Sequence, residues 1–248
     1  MDKFYRGYIY IYVFLLVFII LNQIYYKPNY NVIENKSDIY KYISKKYLFY
    51  YKVINKEEDL KKIKYPVVMK PDDGYCGIDV KLFKNSKKAI KYYRKNRKKY
   101  VVQKYHPGPY EIGLYYIRIP YNKRGYIWTI VSKKSPTLIE NERWEPLMCA
   151  TSKSCNRRNN WITPRLTRVI DRISRKIPNF YIGRYDIRFS NLRDLKKGKN
   201  FMILELNTTN ASPTISNLQN YKYSYCQIIK YKLLRLYIAI LTRIFYYF

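Results

Sequence analysis

The sequence predicts a chain of mixed strands and helices preceded by a transmembrane helix, and three observations carry this. Short runs of β-branched and aromatic residues recur at 65–70, 100–105, 126–132, 181–189 and 201–207. Between them lie segments with helical spacing, at 86–98 and 164–176. Ahead of both, residues 8–26 run for 19 positions without a charge.

That first stretch is rich in Ile, Val, Leu, Phe and Tyr. As a helix it would rise roughly 28 Å, against about 30 Å for a hydrocarbon core. Tyr8, Tyr10 and Tyr12 gather at one end and Tyr25 and Tyr26 at the other, in the manner of an interfacial aromatic belt. No small-x-small cleavage site follows, so a cleaved signal peptide fits less well. A pair of buried strands is the alternative. Lys3 and Arg6 precede the run, whereas Lys27, Lys36, Lys41, Lys45 and Lys46 follow it. The positive-inside bias therefore predicts a single-pass membrane protein with everything after residue 26 in the cytosol.

The following elements are expected in order. Residues 27–55 are polar and irregular and read as a linker. A short helix at 56–62 leads to a strand at 65–70, a turn at 71–77 and a strand at 79–83. The helix at 86–98 is almost entirely basic on its exposed face. A strand at 100–105 runs into the turn His106-Pro107-Gly108-Pro109, followed by strands at 111–118 and 126–132. Leu166, Val169, Ile170 and Ile173 lie on one side of the helix at 164–176. The strands at 181–189 and 201–207 could pair antiparallel across a basic loop at 190–200. Residues 225–248 read as a helix with a narrow polar face of Lys232, Arg235, Ala239, Thr242 and Arg243. That helix could lie on a membrane surface, on the first span or on the core.

Composition narrows the chemistry. The 248 residues include 49 Lys plus Arg and 17 Asp plus Glu, a formal charge of +32. Such a charge points first to nucleic acid or an anionic membrane. Lys, Tyr, Ile and Asn are abundant together, however, and their codons are AT-rich. Genomic bias explains most of the excess, and nucleic acid is not the expected partner. One histidine, His106, excludes poly-histidine metal sites. The cysteines at 76, 149, 155 and 226 form no C-x-x-C pair, so they read as reduced thiols.

Three segments could carry chemistry. In Gly183-Arg-Tyr-Asp-Ile-Arg-Phe189, alternation puts Arg184, Asp186 and Arg188 on one face. In Ile203-Leu-Glu-Leu-Asn207 it puts Glu205 and Asn207 on one face and Met202, Leu204 and Leu206 on the other. Paired with these faces together, three oxygen donors would converge beside guanidinium groups. That suits Mg2+ with a phosphate or oxyanion; a solvated face with a surface ion pair is the alternative. A carboxylate within Ile-Leu-Glu-Leu favours the former, because burying it without a partner is costly. Next, Lys70 ends an apolar strand ahead of a turn with Gly74 and Gly77, a plausible phosphate clamp or else a hairpin with a surface lysine. It is not a P-loop, since a strand follows. Finally, 101–111 is a strand, a Pro-Gly-Pro hinge and Glu111, which suits a nucleotide base and ribose; His106 reads as a turn residue.

These pieces, in this order, resemble the ATP-grasp superfamily, and most nearly its D-alanine–D-alanine ligase-like branch. The likeness runs from about Lys56 to Thr214. It implies two α+β lobes enclosing ATP, at about 56–107 and 108–220 of a domain spanning 56–220. The anchor at 8–26, a linker or remnant N-terminal segment at 27–55 and a basic amphipathic helix at 221–248 flank that domain. The resemblance implies that Lys70 binds the ATP phosphates under a loop containing Gly74 and Gly77. Gln103, Lys104, Tyr105 and His106 would line the adenine pocket, and Glu111 would hold the ribose. Asp186, Glu205 and Asn207 would bind a pair of Mg2+ ions, Arg184 would stabilise the reacting centre, and Lys133 would be a further phosphate lysine. The implied enzyme joins a small-molecule or peptide carboxylate to an amine or thiol acceptor through an acyl phosphate, with ATP converted to ADP and phosphate. A nucleotide-binding domain without turnover and a basic membrane-surface or nucleic-acid-binding protein are the alternatives. Two features depart from the ligases. Only about 30 residues stand where they carry an N-terminal domain, and Thr208-Thr-Asn-Ala-Ser-Pro213 replaces Thr-x-Pro-Gly. The resemblance therefore does not name D-alanine as the substrate.

Overall fold

Two separate antiparallel sheets form in the computed structural model, which describes residues 12–17, 20–21, 27–48, 50–74, 78–106, 108–133, 155–208 and 224–247. The first contains β1 (Tyr51–Ile54), β2 (Val67–Pro71), β3 (Lys81–Phe83) and β4 (Tyr100–Lys104), in the order β1-β4-β2-β3. Ile54, Val67, Met69, Tyr100 and Val102 form its core together with Leu60 of α2 (Glu58–Lys61) and Ala89 of α3 (Ser86–Asn96). Asn85 caps α3 by accepting from the Lys88 amide at 3.1 Å.

The second sheet contains β5 (Tyr110–Ile117), β6 (Tyr126–Lys133), β7 (Cys155–Arg157), β8 (Ile182–Phe189) and β9 (Phe201–Asn207), in the order β7-β6-β5-β8-β9. Alternation gives it two unlike faces. Ile112, Leu114, Tyr116, Tyr185 and Ile187 pack with Leu166, Ile170 and Ile173 of α4 (Pro164–Ser174). Thr163 caps that helix, accepting from the Leu166 amide at 3.1 Å, with Pro164 in its first turn. On the other face, Tyr115, Ile117, Val131 and Ile182 are covered by Ile228, Tyr231 and Ile238 of α6 (Tyr225–Tyr247). Tyr231 stacks on Trp128 with ring centroids 4.5 Å apart.

Several expectations need correction. Residues 27–55 are not a featureless linker. They supply β1, an edge strand paired with β4, and α1 (Lys36–Tyr42), whose Ile39 and Tyr40 enter the core around α4. The basic loop at 190–200 contains α5 (Leu192–Lys196), whose first amides Asn191 accepts at 2.8 and 3.3 Å. In α6, Arg235, Ala239 and Thr242, expected on a polar face, are buried in the packed face instead. Of the open placements for that helix, the structure has it on the second sheet.

Within the expected span 8–26, residues 12–17 and 20–21 are helical, and the remainder lies outside the described residues. Among the described residues no helix is long and apolar enough to cross a membrane.

Candidate active site between the two sheets

The site forms where the first sheet meets β9. The β8–β9 pairing is antiparallel, with Asp186 opposite Glu205 and Arg184 opposite Asn207. The carboxylates expected to converge are therefore neighbours across one ladder. The register shifts after Asp186, because Ile187 pairs with Ile203 and Leu204 has no opposite residue. This bulge breaks the expected alternation of Met202, Leu204 and Leu206. Ile203 and Leu206 enter the core, and Leu204 does not. Bulges re-aim backbone groups, and the Leu204 carbonyl here accepts from Lys70 Nζ at 2.6 Å and from the Tyr40 hydroxyl at 2.5 Å.

Lys70, at the end of β2, is buried. Its Nζ also donates to Gln103 Oε1 at 3.1 Å and lies 5.6 Å from the Tyr40 ring centre. Burial pulls its ammonium down to about 8, against the opposing pull of Glu205. Gln103 is buried and donates to the Ile203 carbonyl at 3.4 Å. Lys104 stands on the opposite face of β4 with its side chain exposed, away from this cluster.

Lys36 is a site residue that sequence reasoning missed. Buried at the start of α1, it donates to the Gly74 carbonyl and pairs with Glu205 Oε1 at 3.3 Å. Asp72 holds it there. That carboxylate accepts from the Ser37 amide and hydroxyl, both at 2.7 Å, and pairs with Lys99 at 2.7 Å. Burial alone would raise the Asp72 pKa, but Lys99 and Ser37 outweigh it and hold it below the usual range. The available signal was Asn35 ahead of a short apolar-periodic run, which marks a helix start and so a fixed place for Lys36.

Arg184 grips Asp186 with two hydrogen bonds, at 2.8 and 3.1 Å. Burial acts against its charge, and Asp186 overrides that, pushing the guanidinium well above its ordinary value. Arg188 braces the hinge, donating to Glu111 Oε2 and to the His106 carbonyl, each at 2.7 Å. Gly108 makes this possible. Its φ is +44°, and a Cβ there would lie 2.6 Å from the Arg188 chain. His106 Nδ1 accepts from the Gly108 amide at 2.8 Å, and burial with Arg188 nearby lowers its pKa, as befits a neutral turn residue. Tyr105 donates its amide to the Pro66 carbonyl at 3.1 Å. Lys133 pairs through its backbone with Glu111. Gly77 and the side chain of Lys133 lie outside the described residues.

The donor set fits a hard divalent cation with phosphate. Two carboxylates face each other, each already neutralised by a cation, so they are built to share positive charge. The buried Nδ2 of Asn207 has no hydrogen-bond partner among the described residues. An orphaned buried amide is costly, and with its amide turned over, Asn207 offers Oδ1 as a third oxygen. Lys36, Lys70 and Arg184 exceed Asp186 and Glu205 by one charge, which favours an anionic ligand.

Solved structures share this architecture. A D-alanine–D-alanine ligase from Bacillus anthracis matches over 86% of this chain and 69% of its own, with a TM-score of 0.55 and 13% identity. The chain has the ATP-grasp fold. The ATP-grasp ligase PsnB, solved with a precursor variant, Mg and ADP, matches over 82% of this chain and 61% of its own, with a TM-score of 0.51 and 12% identity. The biotin carboxylase domain of a Hydrogenobacter thermophilus 2-oxoglutarate carboxylase, solved with MgADP and bicarbonate, covers 84% of this chain and 46% of its own, with a TM-score of 0.52 and 14% identity. The chain spans 42% of the length of a Bacillus licheniformis L-amino acid ligase, 75% of this chain being matched at 16% identity with a TM-score of 0.49. No protein-family model matches the sequence, and no curated protein matches it.

Proposed function

We propose that this ATP-grasp chain is an ATP- and Mg2+-dependent ligase that joins a carboxylate to an amine, anchored in a membrane by residues 8–26 with residues 27–248 in the cytosol. The observation that carries the ligase reading is Asp186 opposite Glu205, with Lys36 and Lys70 converging on the same strand. Asp186, Glu205 and Asn207 would hold a pair of Mg2+ ions, which would neutralise the phosphate oxygens. Lys36 and Lys70 bind the phosphates, Gly74 belongs to the turn over them, and Gln103, Tyr105 and His106 with Glu111 receive adenosine. A substrate carboxylate oxygen attacks the γ-phosphorus and ADP leaves. The amine then attacks the acyl carbon, and phosphate departs. Arg184 stabilises the oxyanion of that second step, so catalysis is positioning and electrostatics. A peptide is one substrate class in keeping with the fold, since PsnB was solved with its precursor.

The test uses the full chain in detergent or vesicles, with ATP binding and ADP release followed against pools of carboxylates and amines. Wild type binds ATP only with Mg2+ and releases ADP when the right pair is present. Lys36→Ala and Lys70→Ala weaken ATP binding about tenfold or more, the scale of one lost charge-assisted contact. Glu205→Gln loses the Mg2+ dependence. Identical behaviour of all four proteins sinks the site assignment, and binding without ADP release in every pool leaves a nucleotide-binding protein.

A further inference from the structure

The outer face of α6 is apolar, although the helix is already packed on the second sheet. Tyr225, Ile229, Leu233, Tyr237 and Ile244 are 74%, 54%, 62%, 50% and 43% exposed. At 3.6 residues per turn they share one arc, less than half the circumference, with the half-buried Leu236 and Ile240. Lys230 borders one edge of that arc, and Lys232 and Arg243 border the other. Water gives no reason to line up so many large apolar side chains, and a contiguous patch of this kind marks an interaction surface.

The start of the described chain points to the occupant. The last turn of α6 is tied to the residues that directly follow the apolar N-terminal run. Thr242 donates to the Pro28 carbonyl at 3.0 Å, Arg243 donates to the Lys27 carbonyl at 3.1 Å, and its guanidinium lies 5.1 Å from the Tyr30 ring centre. The N-terminal segment therefore leaves the domain beside the C-terminal end of α6, at the border of the exposed arc that Arg243 marks. Residues 12–17 and 20 of that segment also expose large apolar side chains. Helix α6 itself is not apolar enough to cross a membrane. A helix that cannot span, with one apolar arc and cations at its borders, suits the plane of a bilayer surface. There the apolar residues sit among acyl chains while Lys230 and Lys232 reach the headgroups.

We infer that α6 is an interfacial helix that lies in the surface of an anionic bilayer, pressed between lipid and the second sheet. This rests on the membrane-anchored reading of residues 8–26. Its consequence is orientation: the anchor alone would leave the domain free to swivel about Lys27, and α6 adds a second, extended contact. The face of β5 and β8 that α6 covers near Ile182 also carries Asp186 and Glu111 further along. The helix thereby fixes how the candidate active site faces the membrane.

The test places the full chain in vesicles of phosphatidylcholine and phosphatidylserine that contain a lipid-soluble photoactivated carbene precursor, and mass spectrometry maps the labelled peptides. Both residues 8–26 and the α6 peptide spanning 229–244 are expected to be labelled, with α3 unlabelled. An Ile229→Glu, Leu233→Glu double variant is expected to lose the α6 label and keep that on 8–26. Both residues are exposed, so an unchanged unfolding midpoint shows that the variant is folded. Label on 8–26 alone overturns the inference and spares the anchor; cross-linking then tells whether residues 8–26 or a second copy covers the arc. Label on α6 alone supports the inference and removes the anchor. No label on either removes both, and α6 label that persists in the double variant also overturns it.

Discussion

Lys70 is held in the charged form against the tendency of its surroundings. Burial brings its pKa from an ordinary 10.5 to about 8, so the folded state disfavours the ammonium. Below about pH 8 both folded and unfolded chains carry the proton, and the penalty is fully present. Between about pH 8 and 10.5 the folded chain loses it first, and the penalty fades as pH rises. The sign is opposite to that of a lysine whose pKa rises on gaining a partner. A polyphosphate would reverse the local balance by pairing with the ammonium. ATP affinity is therefore expected to hold up to about pH 8 and then weaken by up to tenfold per pH unit, about the loss of one proton. Lys70→Arg, charged throughout, is expected to flatten that slope. Calorimetric titration with a non-hydrolysable ATP analogue across this range checks both, and a level wild-type affinity at about pH 9 argues against Lys70 as a phosphate ligand. Lys70 was legible in the sequence because a lysine ending an apolar strand is conspicuous. Lys36 was not, because its place depends on Asp72, which lies 36 residues away and latches α1 to the Gly74 turn.

At the scale of elements, period-2 patterning made the paired strands β8 and β9 readable, and the Asp186–Glu205 register follows from it. The Leu204 bulge was hidden, since the apolar alternation runs through it unbroken and only the paired strand shows the extra residue. Helix α6 misled for another reason. Its buried face places Arg235 and Thr242 beside Ile228, Tyr231 and Ile238 while its outer face is apolar too, so polarity does not mark which face packs. Gly183 shows how tightly the strand ends are set. A Cβ there would lie 2.5 Å from the Asn207 carbonyl oxygen and 2.5 Å from the Phe180 ring. The backbone oxygen cannot step aside without moving β9. Gly183→Ala is expected to cost about 1–3 kcal/mol, read by urea unfolding. It should also weaken Mg2+-dependent ATP binding, because Arg184 and Asn207 flank the displaced pair. A variant as stable as wild type would mean that β9 has room the geometry denies it.

Across the whole molecule, three side chains from the first half of the chain, Tyr40, Lys70 and Gln103, donate to consecutive carbonyls of β9. The two sheets thus meet at the candidate phosphate site itself, and a ligand there touches both. That makes nucleotide binding a global stabiliser rather than a local one, because unfolding of either sheet would release the ligand. By mass action, ATP with Mg2+ at one hundred times its dissociation constant adds about 2.7 kcal/mol. For a chain of this size that corresponds to roughly 5–10 °C in the unfolding midpoint. ATP alone is expected to give no shift, because Asp186 and Glu205 lie opposite each other and an added polyphosphate without a cation meets their charge. Double-stranded DNA at matched phosphate concentration provides the contrast that the +32 charge calls for. A shift caused by charge alone would appear with DNA as well and vanish together with it as salt rises. A shift caused by the site is specific to ATP with Mg2+, persists in moderate salt and falls by about half or more in Lys36→Ala and Lys70→Ala, as a tenfold loss of affinity requires. Differential scanning of the wild type and both variants separates the two origins, and equal shifts with ATP and DNA would return the basic surface to first place.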